Sequence, residues 1–520
     1  MQLLDHQATE TVSVSTLMQR SGRIAISILL VLMLLAVGLY RLDAGELSWD
    51  EGWTLSVART WVEHGYYARL REGQPAPRGL DAAFTVTAPV ALSFRLFGVG
   101  IWQGRLPGVL FTIGALVLMV ILTRMLYTSR IAYATIAVLL LLSIHPQTNA
   151  LLLGRQVLGE MPMFFYLLAG YVLFLLALQR SIVFLPLAVL VWGAALLTKA
   201  QLPPFWTLAL VVPLCVACLN RKWRLAVMFA VAIIGARLTS QWLYQLQLLI
   251  LEDRILLPAP VSGLYEVLAW VPRAFNRIFA LQMALICGIP TAVGLCYEAA
   301  RWLRKRSRLG TQAEQELIRL SLLMFAGSWF TWFLLLSVGV PRYLFPAMFV
   351  GSIFVAKLLD TLTCGFDPTG TFRRSARPLT RNGAGALFAL LLLAMTLPLT
   401  LLTLIRSYTA PPDIAPLQTA AYFNDHTMPD TLIETYESEL HFLLNRPYHY
   451  PPDQIHIELN RRGLLGQDVP IDYDPLLADP DYLVVGRFAA GNGLYDEVLK
   501  TGSFRLIETF GRYQIYERVR

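Results

Sequence analysis

Two adjacent carboxylates, Asp50 and Glu51, follow the first long apolar segment of the chain, residues 24–40. Carboxylates beside the hydrocarbon of a membrane are costly unless they are solvated, paired or used, so an acidic pair there is a candidate functional site. The same pair is also typical of a helix start, where the helix dipole favours acids. The spacing alone leaves both interpretations open.

With the acidic pair, other acids and bases occur where the chain turns between apolar segments. The acids are Asp50, Glu51 and Glu160, and the bases are Arg105, Arg155, Lys199 and Arg342. Transfer of a sugar from a lipid phosphate needs such a set, because a carboxylate takes the proton of the acceptor and cations stabilise the departing phosphate. The forked donors of arginine suit phosphate oxygens. Simpler interpretations exist for some bases: Arg105 and Lys199 as interfacial anchors, and Arg342 as a helix cap.

The composition is that of a polytopic membrane protein. The chain of 520 residues is 56% hydrophobic and 15% charged, with a mean hydropathy of +0.54, and a soluble domain could not bury that much apolar surface. The formal net charge of +8 does not indicate a nucleic-acid partner, because the basic residues cluster in short loops between apolar runs. No cysteine follows Cys364, which excludes a disulfide-stapled C-terminal domain.

The apolar runs predict about eleven membrane-spanning helices. The predicted spans are residues 24–40, 105–127, 131–144, 161–178, 182–198, 203–219, 225–244, 278–297, 317–338, 343–359 and 384–405. With this count every strongly basic loop lies on one side, which places residues 1–23 in the cytoplasm. Residues 84–97 are short for a span and carry Arg95, so they predict an interfacial helix instead.

Two domains follow from this pattern. Residues 24–406 form the membrane domain, whose first external loop, 42–104, holds the acidic pair, and residues 407–520 form a domain outside the membrane. The outer domain loses the long apolar runs and gains turns and alternating patterns, which predicts a small extracytoplasmic α/β domain. The predicted strands are residues 481–486 and 513–516, and the predicted helices are residues 414–426 and 493–500.

Several motifs occur in a fixed order along the chain. They are the acidic pair after the first span, F-G-x-G-x-x-x-x-R-L-P at residues 97–107, Glu160-Met-Pro162, Thr198-Lys199 at a helix end, and Pro341-Arg-Tyr-x-x-Pro346. In this ordered set the chain resembles the GT-C superfamily of membrane glycosyltransferases over its whole length. It is similar to the branch that contains the protein O-mannosyltransferases and the lipid A aminoarabinose transferases. The set is specific for the superfamily and poor at choosing a subfamily.

The resemblance implies a reaction and a role for each residue. A sugar would move, with inversion, from a polyprenyl-phosphate donor to a lipid, glycan or protein acceptor on the extracytoplasmic face of a bacterial inner membrane. Asp50 matches the catalytic base, Glu51 the second acid, and Glu160 an acid that orients the acceptor or the base. The bases that would face the carrier phosphate are Arg105, Lys199 and Arg342, with Arg155 as a further candidate.

No cofactor is expected. Some members of the superfamily bind a divalent metal through a D-x-D motif. Here Asp50 and Glu51 are adjacent, so their side chains would point in different directions on a helix or a strand. This spacing argues against metal dependence, although Glu160 could complete a site.

Two motifs of the aminoarabinose transferases differ in this chain. Their Arg-Tyr after the acidic pair corresponds to Trp53-Thr54, and their Lys-Pro-Pro in the first loop corresponds to Thr87-Ala88-Pro89. The His-Pro-Pro of the mannosyltransferases is absent as well. The lipid A substrate therefore does not follow from the resemblance, and the acceptor stays open.

A transporter or flippase for a lipid-linked or small substrate is the alternative function, with the acids as ion-coupling groups. Such a protein would more often show repeated halves, broken helices at matching places and acids near the middle of the membrane. This chain instead has its long loops on one face, its acids at helix ends and an unrepeated C-terminal domain. These features favour the transferase.

Overall fold

Long apolar helices form the chain as far as Thr409, and a small α/β unit follows them. The computed structural model describes residues 14–77, 79, 83–256, 261–304 and 309–520. Residues 1–13 of the predicted cytoplasmic N-terminus lie outside the described residues.

Seventeen α-helices occupy the described residues of this first part. They are α1 (Val14–Leu39), α2 (Trp49–His64), α3 (Phe84–Phe97), α4 (Ile101–Leu126), α5 (Ser129–Leu141), α6 (Ala150–Leu153), α7 (Glu160–Gln179), α8 (Phe184–Thr198), α9 (Leu202–Leu219), α10 (Trp223–Leu251), α11 (Leu264–Ala269), α12 (Ala274–Met283), α13 (Ile289–Arg304), α14 (Ala313–Leu335), α15 (Phe345–Leu362), α16 (Pro368–Ser375) and α17 (Arg381–Thr409). A π-helical turn, Ala284–Gly288, joins α12 to α13, and 3₁₀ turns occur at Pro146–Thr148, Glu252–Arg254 and Pro341–Tyr343. The hairpin of β1 (Leu70–Arg71) and β2 (Gln74–Pro75) follows α2.

Eight helical segments of the described chain are long enough and apolar enough to cross a membrane. They are Ile101–Leu126, Glu160–Gln179, Leu202–Leu219, Trp223–Arg254, Leu264–Arg304, Ala313–Leu335, Phe345–Leu362 and Asn382–Thr409. Shorter apolar helices at Ser27–Leu39, Ser129–Leu141 and Phe184–Thr198 fall on three further predicted spans, and the predicted interfacial helix is α3. A polytopic helical membrane protein is therefore confirmed, whereas the count of about eleven spans stays a prediction.

An aromatic core fixes the helices that carry two of the predicted site residues. Trp192 of α8 is fully buried, and its indole nitrogen donates a hydrogen bond of 3.1 Å to the Leu167 carbonyl of α7. Gly170 lets the two helices approach, because a Cβ at this position would overlap the Trp192 ring. Since α7 begins at Glu160 and Lys199 directly follows α8, this packing holds those two side chains at neighbouring helix ends.

A five-stranded mixed sheet organises the C-terminal part of the chain. The strands are β3 (Ile433–Thr435), β4 (Tyr448–His449), β5 (Tyr482–Val485), β6 (Phe504–Phe510) and β7 (Tyr513–Arg518), and the helices are α18 (Ala415–His426), α19 (Ser438–Leu443), α20 (Asp453–Asn460), α21 (Arg487–Asn492) and α22 (Asp496–Lys500). The spatial order is β4-β3-β5-β7-β6. Strand β3 is parallel to β4 and β5, and β7 is antiparallel to β5 and β6.

The predicted α/β character of this part is confirmed. The two predicted strands fall on β5 and β7, and the two predicted helices fall on α18 and α22. The boundary predicted at residues 406 and 407 lies within α17, which ends at Thr409. A short π-helical turn, Arg461–Leu465, and a 3₁₀ turn, Pro475–Ala478, complete the unit.

Helix α2 of the first loop packs against the carboxyl ends of the parallel strands. The ring of Trp49 contacts Tyr436, directly after β3, and Phe488, shortly after β5, with centroids 4.5 and 4.4 Å apart. The Ser438 hydroxyl donates a 2.5 Å hydrogen bond to the Trp49 carbonyl. In open α/β sheets this edge is the usual place for a ligand. Here it holds the helix that carries the acidic pair.

Substituting Gly52 by alanine is expected to loosen this contact. A Cβ at Gly52 would lie 2.5 Å from the backbone nitrogen of Glu439 in α19, and neither backbone can move without shifting its helix. We expect a loss of about 2 kcal/mol in the free energy of unfolding, as for other overpacked contacts. Thermal unfolding and limited proteolysis of residues 407–520 in detergent would measure it.

Gly327→Ala is the matched control, because no atom lies within 4 Å of its added Cβ. If Gly52→Ala had the same thermal unfolding temperature and the same resistance to proteolysis as this control, α2 would not depend on the close approach to α19.

Candidate active site

Helix α2 gives its two adjacent acids different surroundings. Ser48 is the extended N-cap residue of the helix, and its backbone nitrogen donates a 3.3 Å hydrogen bond to the Glu51 carboxylate. Successive residues of an α-helix are rotated by about 100°, so Asp50 points away from Glu51. The Glu51 side chain is fully buried, whereas Asp50 keeps 41% of its side-chain surface exposed. Of the two acids, Asp50 is the one that a substrate can reach.

Glu51 forms a buried ion pair with Arg105 of α4. The Arg105 Nε and Nη2 atoms lie 2.7 and 2.9 Å from the two carboxylate oxygens. The other N–H groups of Arg105 donate to the carbonyls of Leu42, Gly45 and Glu46 at 3.0 to 3.1 Å. All five donors of a guanidinium are thereby used. These contacts give Arg105 a structural role, and its predicted contact with the phosphate stays untested.

Asp50 pairs with Arg342 of the 3₁₀ turn Pro341–Tyr343. Burial among protein atoms would raise the pKa of the Asp50 carboxyl. The charge and hydrogen bond of Arg342 outweigh that effect, with help from Lys199 and His456, so the pKa lies below its ordinary value of 3.8. The Arg342 side chain is 21% exposed, so both partners of this pair can be reached from outside.

Glu160 pairs with Lys199. The Lys199 Nζ lies 2.6 Å from one Glu160 oxygen, and the two side chains are 19% and 1% exposed. The other oxygen, Oε2 of Glu160, is buried and has no hydrogen-bond partner among the described residues. Glu160 also lies within electrostatic range of Arg342, and Asp50 within range of Lys199. The two pairs therefore form one cluster of four charges.

Arg155 lies apart from this cluster. Its Nη2 atom donates hydrogen bonds to the carbonyls of Tyr40 and Arg41 at the end of α1, at 2.9 and 2.5 Å. Its guanidinium stacks over the Tyr408 ring of α17 at 4.7 Å. These contacts join the ends of two apolar helices, α1 and α17. The predicted place of Arg155 at the phosphate stays untested.

His456 is a neighbour of the site that the sequence did not single out. Its ring stacks on Trp49 with centroids 5.6 Å apart, and its Nδ1 atom lies 2.6 Å from the Tyr436 hydroxyl. It lies within electrostatic range of Asp50. The only sequence signal was Trp49 and Trp53 on either side of the acidic pair, which form an aromatic face at helical spacing.

The carboxylates of the site do not fit a metal ion. Asp50, Glu51 and Glu160 each face their own cation. Within the part of the chain that the structure describes, no group of three or more His, Cys, Asp or Glu side chains is arranged to hold a metal.

Solved structures of membrane glycosyltransferases share this fold. The crystal structure of ArnT from Cupriavidus metallidurans bound to undecaprenyl phosphate is similar over 96% of this chain and 98% of that chain, with a TM-score of 0.60 and 15% identity. The tethered acceptor-peptide complex of the Archaeoglobus fulgidus oligosaccharyltransferase is similar over 95% of this chain and 74% of that chain, with a TM-score of 0.51 and 12% identity. No family model matches the sequence, and no curated protein matches it.

The chain thus has the polytopic GT-C fold, as its ordered motifs predicted. Within that class, the similarity to ArnT covers nearly all of both chains. At these identities the similarity describes the fold, and the chemistry must be argued from the residues of the site.

Glu51→Gln and Asp50→Asn are expected to differ in stability although the two residues are neighbours. The first leaves the buried Arg105 charge without its counter-ion, which costs about 3–5 kcal/mol. The second removes one partner of a half-exposed pair, which costs about 1 kcal/mol or less. Thermal unfolding of both purified variants checks this, and equal destabilisation would contradict the different roles of the two acids.

Proposed function

We propose that this chain is an integral membrane glycosyltransferase that moves a sugar from a polyprenyl-phosphate donor to an acceptor on the extracytoplasmic face. The observation that carries the proposal is the cluster in which Asp50 of α2 meets Arg342, Glu160 and Lys199 at the ends of apolar helices in a GT-C fold. One accessible carboxylate and two accessible cations in one place are the groups that glycosyl transfer from a lipid phosphate requires. ArnT, a protein of the same fold, is known with undecaprenyl phosphate bound.

Asp50 acts as the general base in a single inverting displacement. The acceptor hydroxyl oxygen attacks the anomeric carbon and its proton passes to Asp50. The bond between that carbon and the phosphate oxygen breaks on the opposite face, and its electron pair leaves with the polyprenyl phosphate. Arg342 and Lys199 stabilise the negative charge that grows on this phosphate.

The remaining residues hold the reacting groups in place. Glu160 is buried and orients Lys199, whose Nζ lies 2.6 Å from its carboxylate. Glu51 and Arg105 fix the start of α2 and thereby the direction of Asp50. The lipid, glycan or protein nature of the acceptor is not implied by these contacts.

Membrane orientation belongs to the same proposal. The basic loops favour a protein of the bacterial inner membrane with its N-terminus in the cytoplasm. The domain of residues 407–520 then lies on the extracytoplasmic side. The acidic pair and the docked C-terminal domain then share the outer face, where a lipid-linked sugar and its acceptor meet.

Consumption of lipid-linked sugars tests the proposal. Purified protein would be incubated with a panel of polyprenyl-phosphate sugars and crude envelope extract as acceptor, and loss of each donor would be followed by mass spectrometry. We expect one donor to be consumed, and Asp50→Asn to lower the rate by about 100-fold or more, as loss of a general base does.

Glu63→Gln is the matched control for this experiment. Glu63 lies on the same helix as Asp50 but pairs with Arg59 at 2.8 Å on the surface, so its loss is expected to leave consumption unchanged. Full activity of Asp50→Asn would remove Asp50 from the mechanism. A folded wild-type protein that consumes no donor would favour transport instead.

Arg342→Gln is expected to change the pH dependence as well as the rate. Arg342 holds the pKa of Asp50 below its ordinary value, whereas burial pushes that pKa up. Without Arg342 the pKa of Asp50 rises, so the basic form is lost at a higher pH when the solution is acidified. The acidic limb of kcat/KM against pH should therefore move to higher pH in this variant, and an unmoved limb would show that another group titrates.

A further inference from the structure

We infer that binding of the donor phosphate frees the general base: the phosphate takes Arg342 and Lys199 away from Asp50 and Glu160, so that Asp50 loses its counter-ion only when the donor is present. This inference rests on the proposed function and concerns the order of events at the same site.

The charged groups of the site balance one another. Three carboxylates face three cations in the pairs Glu51–Arg105, Asp50–Arg342 and Glu160–Lys199. An arriving phosphate anion therefore meets cations that are already neutralised. It can gain the full attraction of a guanidinium or an ammonium group only if a carboxylate gives that group up.

Two of the three ion pairs are less enclosed than the third. Glu51 and Arg105 are 0% and 2% exposed and are held by a complete set of hydrogen bonds. The Asp50–Arg342 pair is partly exposed on both sides. In the Glu160–Lys199 pair, Lys199 is 19% and Glu160 1% exposed. One oxygen of Glu160 and the Nε of Arg342 have no hydrogen-bond partner among the described residues. These two pairs are therefore the ones in which a cation can reach a new partner.

A phosphodiester can replace both carboxylates at once. Its free oxygens can accept hydrogen bonds from the fork of Arg342 and from Lys199 together. Both cations lie within electrostatic range of Glu160 and of Asp50, so a single phosphate between them would be attracted to both. A phosphodiester carries one negative charge, which the two cations share when they contact it.

The exchange changes the chemistry of Asp50. While it is paired with Asp50, Arg342 stabilises the ionised carboxylate and so weakens it as a base; Lys199 and His456 add to this effect. Once Arg342 binds the phosphate, the proton affinity of Asp50 rises and the carboxylate can accept the proton of the acceptor. Donor binding therefore comes before activation of the acceptor.

Binding of undecaprenyl phosphate to the full-length protein in lipid nanodiscs tests the inference. Removing the competing carboxylate in Asp50→Asn should tighten binding by about fivefold, the size expected for a partly exposed ion pair. Arg342→Gln should weaken binding by about tenfold or more, because a charge-assisted contact is lost. Glu63→Gln, which removes a carboxylate from the same helix outside the cluster, should bind like the wild type.

The double variant separates exchange from a general effect of charge. If Asp50 and the phosphate compete for Arg342, the gain from Asp50→Asn disappears in the Arg342→Gln background. If Asp50→Asn still tightened binding in that background, the exchange of partners would be wrong. It would also be wrong if Asp50→Asn alone did not tighten binding while Arg342→Gln still weakened it. Both outcomes would leave the proposed polyprenyl-phosphate donor unaffected. No binding by the folded wild type would overturn the carrier assignment as well.

Discussion

The buried ion pair between Glu51 and Arg105 joins α2, α4 and the segments that precede α2 and α7 at one point. Arg105 belongs to α4 and donates to three carbonyls of the segment between α1 and α2. Glu51 belongs to α2 and also accepts a 3.2 Å hydrogen bond from the Val157 nitrogen, just before α7. Two charges removed from water cost several kcal/mol each unless their hydrogen bonds are complete. Here they are complete, so the pair permits one arrangement of α2 against the membrane helices.

That arrangement separates the functions of two neighbouring acids. Because consecutive helix positions face different directions, fixing Glu51 in the interior turns Asp50 toward Arg342 and the outside. Glu51 is then a positioning group, and Asp50 is the carboxylate available for chemistry. The adjacent pair in the sequence thus combines a structural anchor with a candidate base, rather than two equivalent catalytic acids.

The C-terminal domain is part of the same construction. The edge of its parallel strands, where α/β domains usually bind ligands, packs against Trp49 and Gly52 of α2. A further buried ion pair, Arg69 with Asp453 at 2.7 Å, ties the segment after α2 to α20. We therefore assign this domain a role in holding α2 in place. His456 reaches the neighbourhood of Asp50 from the same side.

The sequence by itself determined the features that depend on local pattern. Apolar length and basic loops predicted a polytopic helical protein, alternation and turns predicted the α/β end, and the ordered motifs predicted the GT-C fold. The same motifs named Asp50, Glu160, Lys199 and Arg342, which the structure brings together. Only the tertiary structure decided which acid faces which base and that Arg105 is enclosed. It also decided that Arg155 lies apart from the cluster and that His456 lies near Asp50. These pairings depend on how the helix ends are spaced by packing across the whole chain, and no local spacing of residues records those distances.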